Sequence, residues 1–305
     1  MKKLFMGIIM LLGLSFMGPL AANAEEVDAS METTIGDIEK SLLAYLDTRG
    51  WQFEIGSAEM GDYLYKQLSE EEDNEITKLD NYEDILAYAT EYIYQETSNE
   101  STTIHDIQDM TLQDVKEEVE GEASTLANDS FVEVPRLLKA SGYNRTAAAN
   151  YALKYALSHN KSYKSYGGSG GDCTNFVSQA IYAGGMRGTS TGYPLYKTWS
   201  STLTQTGRSD SAAWINANEF RLYWQIKKSN VTVYSSRADL SKKANVGDVI
   251  NYANKKTGRS WHNCIVTDKS GNTLYISQHS GDRKNNNWNS ISIDTKVNKL
   301  SLIKF

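Results

Sequence analysis

Cys173 and His262, in the C-terminal half of the sequence, have the types and surroundings of a nucleophile and its base. Cys173 precedes a stretch of helical periodicity, which predicts a cysteine at the start of a helix. The unpaired N–H groups and the dipole at a helix N-terminus stabilise a thiolate, the reactive form of cysteine. His262 opens a predicted strand beside Trp261 and is the histidine best placed to take the thiol proton. The pair predicts attack of sulfur on a carbonyl carbon.

A nucleophile and base of this kind need a third group that orients the imidazole. The next predicted strand, residues 273–279, alternates in polarity. If its apolar residues point to the core, His279 is the candidate for the third group, with Gln278 and Asp282 as alternatives.

The backbone N–H of Cys173 and a second donor, near Asp172 or in the preceding loop, are expected to face a developing oxyanion. Asp172, Tyr163 and Trp261 are the candidates for oxyanion or substrate contacts. Glycines at positions 167, 168, 170 and 171 leave room for a substrate backbone to approach.

Two alternatives compete with the nucleophile hypothesis. The sequence has a second cysteine, Cys264, which shares a predicted strand face with His262, so a Cys173–Cys264 disulfide is geometrically conceivable. The two cysteines together with His262 and His279 could instead supply zinc ligands. No paired C-x-x-C or H-x-x-x-H spacing supports the second alternative, so no metal and no cofactor is expected.

The order of the predicted elements defines the fold class. Residues 144–157 and 173–183 have helical patterns, with Asn144 as a plausible N-cap. Short strands bounded by turns follow, and we place them at residues 231–234, 249–253, 262–267, 273–279, 291–296 and 300–305. Helices followed by a run of strands predict an α+β fold with an antiparallel sheet.

The segment D-C-T-N-F-V-S-Q-A-I-Y-A-G-G, residues 172–185, resembles the signature of the putative amidase domain family within the papain-like NlpC/P60 and CHAP superfamily. The other segments that resemble the family are residues 143–145 with Ala148 and Tyr151, Asn160 with Tyr163, and residues 247–250, 261–266, 277–280 and 282–285. The resemblance covers about residues 141–300. It implies a papain-like fold, a cysteine nucleophile, a histidine base, no metal and a peptidoglycan-type amide or peptide substrate.

The first 24 residues predict a secretory signal peptide. Two lysines precede an apolar run over residues 4–17, and Ala22-Asn23-Ala24 has the small-x-small pattern of a cleavage site. The apolar run is too short for a comfortable membrane span. We therefore expect a secreted protein, located outside a bacterial cell or in its wall, with no stable membrane anchor after cleavage.

Charge divides the remaining chain. Residues 25–135 hold 30 acidic and 5 basic residues, a net charge of −25, whereas residues 136–305 hold 8 acidic and 24 basic residues, a net charge of +16. This contrast predicts a boundary between an acidic region, helical or α+β, and a papain-like amidase domain over residues 136–305. The acidic region could pair with the basic one and inhibit it, or serve only solubility.

The sequence therefore predicts a secreted cysteine hydrolase that cleaves an amide or peptide bond in cell-wall peptidoglycan. Its basic surface would favour anionic wall polymers, and no nucleic-acid-binding motif accompanies that charge. Two other interpretations stay open. One is a wall-binding module without activity, and the other is an acyl transferase that uses the same cysteine.

Overall fold

A computed structural model describes most of the 305-residue chain. The described residues are 28–98, 103–129, 142–167, 171–188, 198–205, 207–228, 231–291 and 298–305. The predicted signal peptide, the predicted boundary at 135/136, Gly168, Gly170 and nearly all of the predicted strand at 291–296 lie outside these ranges. In the described part of the chain, no helix combines the length and apolar character needed to cross a membrane.

The described part of the acidic region is built from helices. They are α1 (Ile35–Thr48), α2 (Ala58–Glu70), α3 (Tyr82–Thr97) and α4 (Leu112–Asp129). The first two begin at ordinary N-caps: the Thr34 side chain accepts a hydrogen bond from the Asp37 amide, and that of Ser57 from the Met60 amide. α3 is buried over nearly its whole length, which makes it the central helix of this group.

The basic half contains the sheet. Its helices are α5 (Arg145–Tyr155), α6 (Cys173–Ala183), α7 (Ala212–Ile215), α8 (Ala217–Lys228) and α9 (Arg237–Lys243). A hairpin of β1 (Ser201–Thr204) and β2 (Gly207–Asp210) forms a separate two-stranded sheet. The main sheet comprises β3 (Val231–Tyr234), β4 (Val249–Asn254), β5 (Ser260–Ser270), β6 (Thr273–Gln278), β7 (Arg283–Asn287) and β8 (Asn298–Ile303). Its order is β3-β8-β4-β5-β6-β7, and every neighbouring pair is antiparallel. The prediction of an α+β fold with an antiparallel sheet is confirmed.

Helices cover both faces of this sheet, because alternate residues of a strand point to opposite sides. Val249, Ile265 and Ile303 pack against α5, α6 and α8. Their neighbours along the strands pack on the other side against α1, α2 and α3, and these neighbours include Ile250, Cys264 and Leu302. The acidic helices are therefore one layer of a three-layer structure, and the two halves of opposite charge share a hydrophobic core.

Ion pairs between the acidic helices and the sheet explain the charge contrast. The fully buried side chain of Arg259 lies 2.9 Å from Glu91, 2.8 Å from Glu118 and 3.5 Å from Glu122. Lys256 lies 2.6 Å from Asp84. A charge buried like that of Arg259 needs such partners, because desolvation without them is costly. The opposite charges meet at an internal interface, so they do not by themselves mark two independent cores.

Candidate active site

Cys173 is the first residue of α6, and its side chain is buried, with 3% of its surface exposed. Its sulfur lies 3.6 Å from Thr174 Oγ1. Burial raises the pKa of the thiol, and hydrogen bonding by the backbone of Asn263 and by Thr174 only partly offsets that effect. In this arrangement Cys173 is a neutral thiol surrounded by donors that could stabilise a thiolate.

The turn before α6 fixes the position of Cys173. Gly171 has φ of 99°, and a Cβ there would lie 2.6 Å from Ser280 Oγ. The Asp172 N–H donates to the same Ser280 Oγ at 2.7 Å. The Asp172 carboxylate accepts hydrogen bonds from the Tyr166 amide and from Asn175 Nδ2. Glycine is required at position 171 because the turn has left-handed backbone and approaches Ser280 closely.

His262 lies on β5 and is fully buried. Its Nδ1 is 2.5 Å from the hydroxyl of Tyr65, a residue of α2. Burial lowers the pKa of His262 from 6.5 to about 4, and the side chain of Gln278 opposes that shift. The imidazole is therefore neutral. In the described residues, no hydrogen bond joins His262 to Cys173.

Gln278, an alternative in the sequence analysis, lies beside His262 at the end of β6. Its Oε1 and the His262 Nε2 are both buried, and neither has a hydrogen-bond partner of ordinary geometry in the described part of the chain. The Gln278 side chain is still close enough to raise the pKa of the histidine. A carbonyl oxygen and a ring N–H are complementary, so a small adjustment would join them.

His279, the first candidate for the third group, is placed elsewhere. Its Nδ1 lies 2.7 Å from Asp172 Oδ2, and its Nε2 donates to the Tyr155 carbonyl oxygen at 2.8 Å. Burial alone would lower the pKa of His279, but the bonds to Asp172 and Tyr155 raise it overall. With both ring nitrogens engaged, His279 does not contact His262. It ties the end of β6 to the residue before Cys173.

The other candidates divide into residues at the site and residues away from it. The Trp261 ring packs beside His262, with ring centroids 5.4 Å apart, while its Nε1 donates to Asn298. Tyr163 instead stacks on Trp214, in an aromatic cluster behind α6. Asp282 is exposed and accepts a hydrogen bond from the Ser280 amide, which makes it a turn residue.

Neither alternative to the nucleophile hypothesis is formed in the structure. Cys173 and Cys264 are both free thiols. The potential ligand atoms that converge, in the described residues, belong to His159, Asp172 and His279, and they lie within 4.8 Å of one another. The contact of 2.7 Å between Asp172 and His279 has the length of a charge-assisted hydrogen bond. An ion pair with His279 protonated accounts for this group.

A small cavity lies between α3 and Cys173. Its lining includes Tyr94 and Thr97 of α3, together with Cys173, Asn216 and Trp261. The cavity has room for about one water-sized molecule, far less than an ordinary ligand site. The helical layer thus forms one wall of the cleft at Cys173 and leaves it nearly closed.

Mild acid is expected to destabilise the protein through His262. Its pKa is lowered to about 4 in the folded chain, so between about pH 6.5 and pH 4 the unfolded chain binds a proton that the folded chain does not. The free energy of unfolding should therefore fall as the pH falls through this window, by up to about 3 kcal/mol, because each tenfold difference in proton affinity corresponds to about 1.4 kcal/mol. Urea unfolding followed across that window measures the effect.

His262→Gln is the control for this prediction, because it removes the titrating group. His279 has the opposite effect on the free energy of unfolding, because its pKa is raised in the folded chain. The stability that it contributes is present at low pH and is lost as the pH rises through its folded-state pKa. His279→Gln should therefore steepen the acid destabilisation. An unchanged pH dependence in His262→Gln would contradict the prediction.

Comparison with known proteins identifies the class of this α+β chain. A family model described as a putative amidase domain matches residues 142–302. The chain belongs to that family, which confirms the predicted amidase resemblance and supports a hydrolase that acts on amide bonds. The matched range contains Cys173 and His262, and it leaves out α1 to α4.

Two relatives in Bacillus subtilis (strain 168) are similar to this chain. The uncharacterized protein YjcM is 36% identical over 185 residues, which cover 56% of this chain and 40% of YjcM. The uncharacterized protein YhbB is 29% identical over 153 residues, which cover 49% of this chain and 45% of YhbB. The chain thus spans less than half the length of these relatives. No solved structure matches the chain.

Proposed function

We propose that this protein is a papain-like cysteine hydrolase that cleaves an amide or peptide bond in cell-wall peptidoglycan, with Cys173 as nucleophile and His262 as base. The observation that carries the proposal is the position of Cys173 as the first residue of α6, where the unpaired N–H groups of the first helical turn can stabilise a thiolate. Tyr65 relates the two groups, because its hydroxyl lies 2.5 Å from His262 Nδ1 and its ring packs beside Gly171, two residues before Cys173.

In the proposed reaction, His262 takes the proton of Cys173, and the thiolate attacks the substrate carbonyl carbon. The tetrahedral intermediate collapses as the imidazolium donates that proton to the leaving amine, and a thioester remains. Water, deprotonated by His262, then hydrolyses the thioester, releasing the acid and restoring the thiol. The reaction needs no metal or cofactor.

The oxyanion would be stabilised by the N–H of Cys173 and a second donor. Two candidates for the second donor are already used in the structure: the Asp172 N–H bonds to Ser280, and Trp261 Nε1 bonds to Asn298. The second donor must therefore come from another group in the cleft. Asp172 and His279 act instead on the position of Cys173, as an ion pair beneath the first turn of α6.

For the third group we propose Gln278 in place of His279. Its unpaired Oε1 suits the unpaired N–H of His262 Nε2, and this tautomer leaves Nδ1 free to accept a proton from sulfur. Gln278 has no charge, so it would orient the imidazole without strongly raising its basicity.

The substrate proposal rests on the family and on the predicted export. The charge of the chain adds no support, because part of the +16 of residues 136–305 is paired with the acidic helices, as at Arg259. Within peptidoglycan, the bonds in question are the lactyl-alanine amide and the peptide bonds of the stem. An acyl transferase would share the thioester and differ in the acceptor, which would be an amine.

Digestion of purified peptidoglycan by residues 25–305 tests this proposal. We expect released fragments whose masses identify the cleaved amide bond, and a labelled amine added to the mixture should not be incorporated. Incorporation of the amine would establish the transferase instead. If no fragment appears even when Cys173 is shown to be reactive toward an alkylating reagent, the wall substrate is wrong.

A further inference from the structure

The side chain of Tyr65 occupies the position at His262 that the nucleophile needs. We infer that the described structure is a latent form of the enzyme, in which α2 is a lid and its Tyr65 hydroxyl holds His262 apart from Cys173. This inference rests on the proposed function, since it assigns the regulation of the same cysteine and histidine.

The contacts of Tyr65 place it inside the cleft. Its hydroxyl is 2.5 Å from His262 Nδ1, the nitrogen that would otherwise take the thiol proton. Its ring lies 3.4 Å from where a Cβ of Gly171 would be, and its centroid is 5.8 Å from that of Trp261. Only 5% of Tyr65 is exposed. The ring thus packs beside the turn that precedes Cys173, and the hydroxyl occupies His262 Nδ1.

Closure by α2 also keeps both reactive groups neutral. Burial raises the pKa of Cys173 and lowers that of His262, so proton transfer from sulfur to nitrogen is unfavourable in this form. Tyr65 remains a protonated donor, because burial raises its pKa well above the ordinary value. Water entering an opened cleft would reverse the first two shifts and allow the thiolate–imidazolium pair to form.

The anchoring of the helical layer indicates which part moves. α3 is fixed to the sheet half through the buried ion pairs Glu91–Arg259 and Asp84–Lys256. The polar contacts of α2 with that half run through Tyr65 and through Glu70, which lies 3.1 Å from Arg283 in a partly exposed pair. Exposed pairs of this kind are weak. The polar contacts with the sheet half therefore anchor α3 more firmly than α2, so α2 is the helix of this pair that can move.

Two substitutions in α2 of the full chain, residues 25–305, form a matched pair. Tyr65→Phe removes the hydroxyl at His262. Tyr63→Phe removes a hydroxyl of the same helix that instead lies 3.2 Å from Asp73, away from the cleft. The measured quantity is the rate at which iodoacetamide alkylates Cys173 at neutral pH, resolved by mass spectrometry from alkylation of Cys264.

Tyr65→Phe is expected to raise the alkylation rate of Cys173 about tenfold, the effect of a fall of about one in the thiol pKa. Tyr63→Phe should match the unaltered chain. The rate in Tyr65→Phe should also depend on pH through His262, and this dependence should disappear in Tyr65→Phe/His262→Gln. In Tyr65→Ala, which also removes the ring beside Gly171, Cys173 should be alkylated faster still. Thermal unfolding of each variant shows whether the fold is kept.

Equal alkylation rates in the unaltered chain and in Tyr65→Phe would overturn the inference. So would an equal increase in Tyr63→Phe, since that result would mean a general loosening of α2. The proposed function fails separately: if Tyr65→Phe makes Cys173 reactive but releases nothing from peptidoglycan, the latent form stands and the substrate is wrong.

Discussion

Replacement of Cys173 with alanine is expected to lower amide hydrolysis about a thousandfold or more, because no other group in the cleft can form the thioester. Cys173 is the first residue of α6 and lines the small cavity beside α3. The measurement is the initial rate of fragment release from peptidoglycan, followed by mass spectrometry, by Tyr65→Phe with and without Cys173→Ala, since the unaltered chain is latent.

Cys264→Ala is the matched control, since it removes the other buried thiol of the chain. Cys264 lies on the opposite face of β5 from Asn263, near the Tyr252 hydroxyl at 3.6 Å, and burial raises its pKa to about 12. We expect this variant to keep its activity within about twofold, at a modest cost in stability from the smaller side chain. Undiminished hydrolysis by Cys173→Ala would refute the cysteine mechanism.

A chain that begins at residue 136 is expected not to fold stably, although it contains the whole family match. Without α1 to α3, one face of the sheet loses its cover, and the exposed side chains include Ile250, Leu274, Ile276, Leu300 and Leu302. Each such side chain contributes about 1.5–3 kcal/mol when fully buried, and a domain has only about 5–15 kcal/mol in total. Urea unfolding followed by tryptophan fluorescence should show no cooperative transition.

Adding residues 25–129 as a separate polypeptide is the control for this second prediction. Because the interface contains the buried Arg259 group and a large apolar surface, the helical segment should restore a cooperative transition to the shorter chain. A shorter chain that unfolds cooperatively by itself, at the midpoint of the full chain, would show that the helical layer is dispensable.

Most of the sheet could be predicted from the sequence, because its central strands alternate or are apolar and end at glycine-containing turns. The predicted strands at 231–234, 249–253 and 273–279 lie within one residue of β3, β4 and β6. The sequence analysis missed β7, whose residues Arg283–Asn287 are all polar. An edge strand with no apolar face leaves no periodic signal.

The site could be predicted only in part. Cys173 and His262 have local signals, a helix start and a strand, and the structure places them at those positions. The alternation argument for His279 failed because it could not include the Tyr155 carbonyl and the Asp172 carboxylate, which come from other elements and hold both ring nitrogens. Gln278, beside it, lies next to His262 instead.

Nothing in the sequence around Tyr65 predicts that this residue lies at the candidate active site. It lies 197 residues from His262 along the chain, in a helix whose pattern describes only its packing on other helices. The charge contrast between the halves was a real signal, but pairs such as Asp84–Lys256 show that it describes attraction across an interface. Opposite charges along a sequence can mark two surfaces that meet as readily as two units that separate.

The position of β8 has a consequence for how the chain reaches its fold. This strand lies between β3 and β4, so neither of those strands has that partner until residues 298–303 have been synthesised. α1 to α3 are synthesised much earlier, before the strands whose apolar face they cover. Folding must therefore follow synthesis of the sheet rather than accompany it, and pairings so distant along the chain are slow to form. During that interval the apolar sides of the early helices would be accessible to chaperones.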